Sequence, residues 1–171
     1  MFGRSTTQHI TNAQSIVTGT STGVGRALAE VALEHGDRVV ATARSPSSVD
    51  DLGQKYPGTD RLLVVSLDVT QPHQVADAFA RAMETFGRVD VVVNNAGSAG
   101  MGELEGYDET QARNIMETNF WGVINVTREA IKCFRECNPP GEGGRLLQMS
   151  SIFGLRGSPL GSFYAASKFG M

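Results

Sequence analysis

The 171-residue chain is short of cysteine, histidine and positive charge. Its two cysteines, Cys133 and Cys137, stand four apart in a helical pattern, and His9, His35 and His73 are scattered. That inventory offers no ligand spacing for zinc, so no metal site is expected. Two reduced thiols point to a cytoplasmic protein rather than a disulfide framework. Fifteen Lys and Arg against eighteen Asp and Glu give a net charge of −3. There is thus no basic footprint for nucleic acid and no polybasic patch for a membrane surface. No apolar run approaches the ~20 residues that a membrane-spanning helix needs. The opening stretch MFGRSTTQHITNAQ lacks an apolar centre, which argues against a targeting peptide, and residues 1–14 read as a flexible leader.

What remains is ordinary globular material, 40% hydrophobic and 19% charged, enough for one domain over 15–171. Short β-branched runs alternate with helical patterns. Strands are expected at 15–19, 38–43, 61–69, 88–97 and 145–151. Helices are expected at 25–36, 47–56, 74–87 and 108–136, with another carrying Tyr164 and Lys168. Alternating βα units whose strands are apolar throughout imply an α/β fold, a doubly wound parallel sheet with helices on both faces. Such sheets bind ligands outside the carboxyl ends of their strands. The polar breaks at Gly19, Arg44, Asp68, Asn94 and Ser150-Ser151 all fall at those ends.

TGTSTGVG (18–25) lies between the first strand and the first helix. Gly19, Gly23 and Gly25 let the backbone turn tightly and approach a pyrophosphate, with Ser21 and Val24 in the same loop. The helix that follows offers free N–H groups and a positive dipole end to an anion. Taken alone, the loop reads equally well as an ordinary βα turn. Tyr164 and Lys168 are spaced i,i+4, which puts both side chains on one helix face. Free tyrosine has a pKa of about 10, and a neighbouring ammonium favours the phenolate. Tyr164 would then serve as general acid for a carbonyl oxygen or general base for an alcohol. Such pairs also arise by chance on many helices.

The order of motifs is more specific than any one of them. TGTSTGVG, LDV at 67–69, NNAG at 94–97, Asn119 in ETNFWG, the serines at 150–151 and YAASK at 164–168 resemble the short-chain dehydrogenase/reductase family. The resemblance runs from about residue 15 to the end. It implies a Rossmann-like fold and hydride transfer between a nicotinamide cofactor and a small-molecule carbonyl or alcohol. It also implies roles: Asp68 and Val69 frame the adenine, while Asn94, Ala96 and Gly97 line the cofactor and steady the sheet. Asn95 is expected to be mainly structural. Ser151 would hydrogen-bond the substrate oxygen, with Ser150 facing elsewhere by strand alternation. Asn119 would order a water in a proton relay, and Lys168 would hold the nicotinamide ribose as well as assist Tyr164. The second strand ends ATARS, with no acid until Asp50, so Arg44 can pair with a 2′-phosphate. NADP(H) is therefore the expected cofactor and NAD(H) the alternative, a solvated surface arginine being the bland reading of Arg44.

The chain also departs from the family pattern, whose members usually continue for many tens of residues beyond the YxxxK helix. The family's last strands are missing, so the fifth strand is expected to be an exposed edge. The helix carrying Tyr164 would have about two turns, too few to stand without packing. A fragment of a working enzyme, an inactive nucleotide-binding or interaction module, and a protein completed by a partner chain are the competing readings. Homo-oligomers through the 108–136 helix are a further expectation. Epimerases with a TGxxGxxG loop fit less well, and a methyltransferase would explain neither Tyr164 nor Lys168.

Overall fold

In the computed structural model, residues 12–57 and 60–171 are described, so most of the expected leader lies outside the described residues. Five strands form one parallel sheet in the order β3-β2-β1-β4-β5. They are β1 (Gln14–Thr18), β2 (Arg38–Ala43), β3 (Leu62–Ser66), β4 (Val91–Asn94) and β5 (Arg145–Gln148). The helices are α1 (Gly23–Glu34), α2 (Asp50–Lys55), α3 (Pro72–Phe86), α4 (Glu109–Met116), α5 (Val123–Lys132) and α6 (Ser162–Phe169). Strand order reverses between β1 and β4, the topological switch point at which a doubly wound sheet opens a crevice.

The sheet is covered on both faces because successive strand residues feed different cores. Ile16, Val40 and Val92 point to the face packed by α3 and α5, joining Val75, Phe79, Phe86 and Val126. Val17, Val39 and Val93 point to the other, joining Ala29 and Leu33 of α1 and Leu52 of α2. Each fully buried aliphatic side chain contributes about 1.5–3 kcal/mol of hydrophobic stabilisation. α3 starts with Pro72 in its first turn and stops at Gly87, which takes the left-handed conformation at φ +80°.

The amino ends of the strands are closed by polar side chains. Asp90, 3% exposed, accepts from the Gln14 backbone N–H at 2.9 Å and from Arg88 Nε at 2.7 Å. Asn138 pairs with both the N–H and the carbonyl of Val89. β1 reaches back to Gln14, which pairs with Arg38 of β2, one residue into the stretch read as leader. The 108–136 pattern runs on to Cys137 and is not uniform. π-helical stretches at Glu117–Gly122 and Cys133–Cys137 interrupt and end it. Gly122 allows the first of these to lie on β3's continuation, since a Cβ there would come within 2.6 Å of Val69.

Candidate functional site

The carboxyl ends of β1 to β4 enclose a crevice of about 720 Å³ at the switch point. Of the expected cofactor residues, Gly19, Ser21, Val24, Arg44, Asp68, Val69, Ala96 and Gly97 line it. Thr70, Gln71, Ser98 and Asn114 also line it and carry no motif that sequence reasoning could use, while Glu117 and Thr118 line it from the ETNFWG segment read for Asn119 alone.

The glycines divide the work. Gly23, at φ +63°, has nothing within 4 Å of a would-be Cβ, so its backbone faces open space where a ligand can approach. Gly25 lies beneath the loop instead. A Cβ there would sit 2.3 Å from Asn95 Nδ2 and 2.4 Å from the Gly19 carbonyl. Asn95 is the clamp that requires this closeness, donating Nδ2 to the carbonyls of Thr18 (2.8 Å) and Gly19 (3.1 Å). Thr18 Oγ1 in turn accepts from the N–H groups of Asn95 and Ala96, both at 2.9 Å. The phosphate-type loop and the end of β4 are thereby one rigid unit.

At the outer end of the crevice Arg44 is exposed, with no side-chain hydrogen bond or ion pair among the described residues. Asp68 turns its Oδ1 to the Thr70 N–H and hydroxyl, while its own N–H donates to Gln74 Oε1. These bonds fix the carboxyl group at the crevice wall. Asn94 does not line the crevice. It is buried and donates Nδ2 to the Val123 carbonyl at 3.0 Å, tying β4 to α5.

Asn119 sits in the π-helical stretch and is completely buried. Its amide pairs with the Ser98 backbone, Oδ1 accepting from the N–H (2.8 Å) and Nδ2 donating to the carbonyl (2.7 Å). Nδ2 also reaches Ser167 Oγ at 3.0 Å. The side chain therefore joins the loop after β4 to α6.

Tyr164 and Lys168 stand on α6, beyond the inner end of the crevice. Lys168 is 8% exposed and donates Nζ to the Met149 carbonyl at 2.7 Å; desolvation holds its pKa below the ordinary lysine value. Its Nζ also lies 3.9 Å from a would-be Cβ on Gly97, at the crevice's inner end. The Tyr164 ring meets Phe153 edge-on, with centroids 5.5 Å apart. Ser151 Oγ accepts from the Phe153 N–H at 3.3 Å, which leaves the hydroxyl hydrogen free to donate. Ser150 and Lys168 line a second cavity of about 560 Å³ beside β5, with Val123, Thr127 and Phe169. Among the described residues no group of His, Cys, Asp and Glu is arranged to hold a metal. Cys133 is buried and its thiol is pushed up to about 12, mainly by burial, well away from this crevice.

The family model for short chain dehydrogenase matches residues 14–171. The chain belongs to the short-chain dehydrogenase family. It is 43% identical over 154 residues to an uncharacterized oxidoreductase of Schizosaccharomyces pombe, an alignment that covers 90% of this chain and 50% of that protein. It is 42% identical over 162 residues to oxidoreductase calM of Penicillium decumbens, covering 92% and 52%. A crystal structure of a short-chain dehydrogenase from Streptomyces avermitilis matches with a TM-score of 0.83 at 36% identity, over 92% of this chain and 56% of that one. The chain thus spans about half the length of the curated relatives it matches. The sheet is the family's Rossmann-like fold, and a nicotinamide cofactor, NAD or NADP, goes with it.

Proposed function

We propose that this short-chain dehydrogenase binds NADP(H) and exchanges a hydride with a carbonyl or alcohol carbon, with Tyr164 as general acid or base. The observation that carries the reading is the continuous crevice from Arg44 to Gly97, ending beside Lys168. Its parts fit a dinucleotide: an open backbone approach at Gly23, a rigid loop at Gly19, and an unpaired guanidinium where a 2′-phosphate would lie. In reduction the carbonyl carbon takes the hydride that NADPH supplies and the oxygen takes a proton, leaving an alcohol and NADP+. Tyr164 holds that proton, and Ser151 donates its free hydroxyl hydrogen to the same oxygen. Asn119 keeps α6 in register with the loop after β4, and Lys168, one helix turn on from Tyr164, brings a cation beside that loop. The reading includes a cytoplasmic setting with both thiols free. Among the described residues no helix is long and apolar enough to cross a membrane. Pairing of two copies through the 108–136 stretch belongs to it too, since Trp121 (48%) and Ile131 (39%) are exposed there.

A second reading, nucleotide binding without turnover, is favoured by β5, whose Leu147 is 45% exposed on an unpaired edge. Titration of the chain with NADPH and NADH, followed by cofactor fluorescence, together with turnover over a carbonyl panel, separates the two. Arg44→Asp is expected to shift the NADPH-to-NADH affinity ratio by about tenfold or more toward NADH, since a charge-assisted bond to phosphate is replaced by repulsion. An unchanged ratio removes the case for NADP, and binding without any turnover selects the second reading.

A further inference from the structure

Two thiols at the end of the long helical run take no part in the crevice. Cys133 is buried and Cys137 exposed, and they stand one turn apart on the π-helical stretch that closes the run. The Cys133 thiol shares a hydrogen bond with the Cys137 side chain and lies 3.7 Å from Met83 Sδ, so three sulfurs gather at this corner. The same corner is tied to the amino ends of the strands. Asn138, next to Cys137, gives its N–H to the Cys133 carbonyl at 3.1 Å. Its side-chain amide accepts from the Val89 N–H (3.0 Å) and donates to the carbonyls of Val89 (2.6 Å) and Gly143 (2.7 Å). The Phe134 ring covers Gly144, just before β5, where a Cβ would not fit. Asn138 is thus a latch that joins the helix end, the entry to β4 and the loop leading to β5.

We infer that Cys133 and Cys137 are a reversible thiol–disulfide pair, oxidised by a hydroperoxide, and that bridging them releases the Asn138 latch. Cys137 is the sulfur that an oxidant in solvent reaches. Its thiolate attacks the peroxide: an S–O bond forms, the O–O bond breaks, and the leaving alkoxide takes up the proton the thiol released. The Cys133 sulfur then attacks the sulfur of the Cys137 sulfenic acid. An S–S bond forms, the S–O bond breaks, and hydroxide departs as water with the Cys133 proton. Two thiols have lost two electrons, and the hydroperoxide has become an alcohol and water. Burial pushes the Cys133 thiol up to about 12, which keeps it protonated at neutral pH, so the sulfenic acid should build up before the bridge closes. Geometry couples the bridge to the latch. One helical turn rises about 5.4 Å, within the Cα range of about 4.4–6.8 Å that a disulfide accepts. Cβ atoms a turn apart, however, stand about 5–6 Å from each other, and a bridge needs about 3.5–4.5 Å. Closing that gap moves Cys137, the last residue of the stretch, and Asn138 with it. In a reducing compartment disulfides are typically of this transient kind.

The test is treatment of the reduced protein with hydrogen peroxide, followed by tryptic mass mapping, thermal unfolding and amide hydrogen exchange. Arg135 lies between the two cysteines, so trypsin parts residues 133–135 from 136–145 and only a bridge keeps them together. The joined peptide is expected, with an unfolding temperature lowered by about 4 °C or more, because the latch bonds go and so short a closed loop returns little. The Val89 amide, whose N–H the latch holds, should exchange about tenfold faster or more. Dithiothreitol should reverse all three, which sets bridging apart from methionine oxidation. Cys137→Ser, at an exposed position, should abolish all three. Cys133→Ala should leave a Cys137 sulfenic acid that dimedone traps. Absence of the joined peptide, or a bridge between two chains through Cys137, overturns the inference. So does an intrachain bridge that leaves the unfolding temperature and Val89 exchange unchanged, or that raises the temperature. None of these readouts calls on cofactor or turnover, so their outcome is separate from that of the proposed function.

Discussion

The two edges of the sheet are finished differently. β3 leaves no large apolar side chain exposed: Val65 is 2% exposed, and Leu62 and Leu63 pack against the two cores. β5, at the other edge, is exposed at Arg145, Leu147 and Gln148 and covers only Leu146 in part. The same gradient runs across the crevice. The cofactor side rests on β1 and β2, whose side chains are almost all buried, and on the Thr18–Asn95 clamp. The reaction side rests on a short helix held by a few discrete bonds, from Asn119 to Ser98 and Ser167 and from Lys168 to Met149. Nucleotide binding and proton handling therefore have separable supports, and a substitution should strike one and spare the other.

The sharpest separation is expected from Tyr164→Phe. Loss of a positioned proton donor lowers turnover by roughly 10²–10⁴-fold. Because Tyr164 lies outside the crevice walls, NADPH affinity should stay within about twofold. Steady-state rates and a cofactor titration on the same preparation check both halves of the statement. A parallel fall in affinity would mean that the two sides are one site.

Gly25→Val attacks the other side. The added Cβ would meet Asn95 Nδ2 at 2.3 Å and the Gly19 carbonyl at 2.4 Å, both parts of the clamp rather than flexible ends. Overpacking of this kind costs about 1–3 kcal/mol, and displacing the loop should weaken NADPH binding by about tenfold or more. Urea midpoints and the same titration measure the two effects. A protein that kept its affinity would show that the clamp does not shape the loop.

How much of this was legible beforehand depended on how local each determinant is. β2 could be read to the residue, since Arg38–Ala43 is a β-branched run between a glycine stop and a polar break. The limits of β1 could not, because Gln14 joins it by pairing with Arg38 of β2, with its N–H held by Asp90, a carboxylate 76 residues away. The helical run from 108 onward follows from its apolar spacing, yet nothing in that spacing marks the π-helical stretch that buries Asn119. The site shows the same divide. The motif order singled out the candidate residues, and of the two parts expected of Asn94, lining the cofactor and steadying the sheet, the structure shows a bond from β4 to α5 and no place in the crevice wall. Asn95 could be marked as structural, although the reason, its hold on Gly19 through the space Gly25 leaves, exists only in three dimensions.

Lys168 gives the smallest of the expected effects and the most direct measure of how closed the reaction side is. Its ammonium is desolvated, which places its folded pKa below the ordinary 10.5. Below the folded pKa both states are protonated and the burial penalty is present in full. Between the folded pKa and 10.5 the unfolded chain binds more protons, so stability rises with pH as that penalty is relieved. Lys168→Met removes the penalty at every pH, at the cost of the 2.7 Å bond to the Met149 carbonyl. The stability of the variant relative to the natural chain is therefore expected to be most favourable near neutrality and to decline as pH climbs toward 10.5. Urea midpoints of both proteins at neutral pH and near pH 10 give the slope. A difference that does not move with pH would mean that Lys168 is as well hydrated as the side chains of β5. The contrast between a wrapped cofactor side and a lightly held but still enclosed reaction side would then have to be given up.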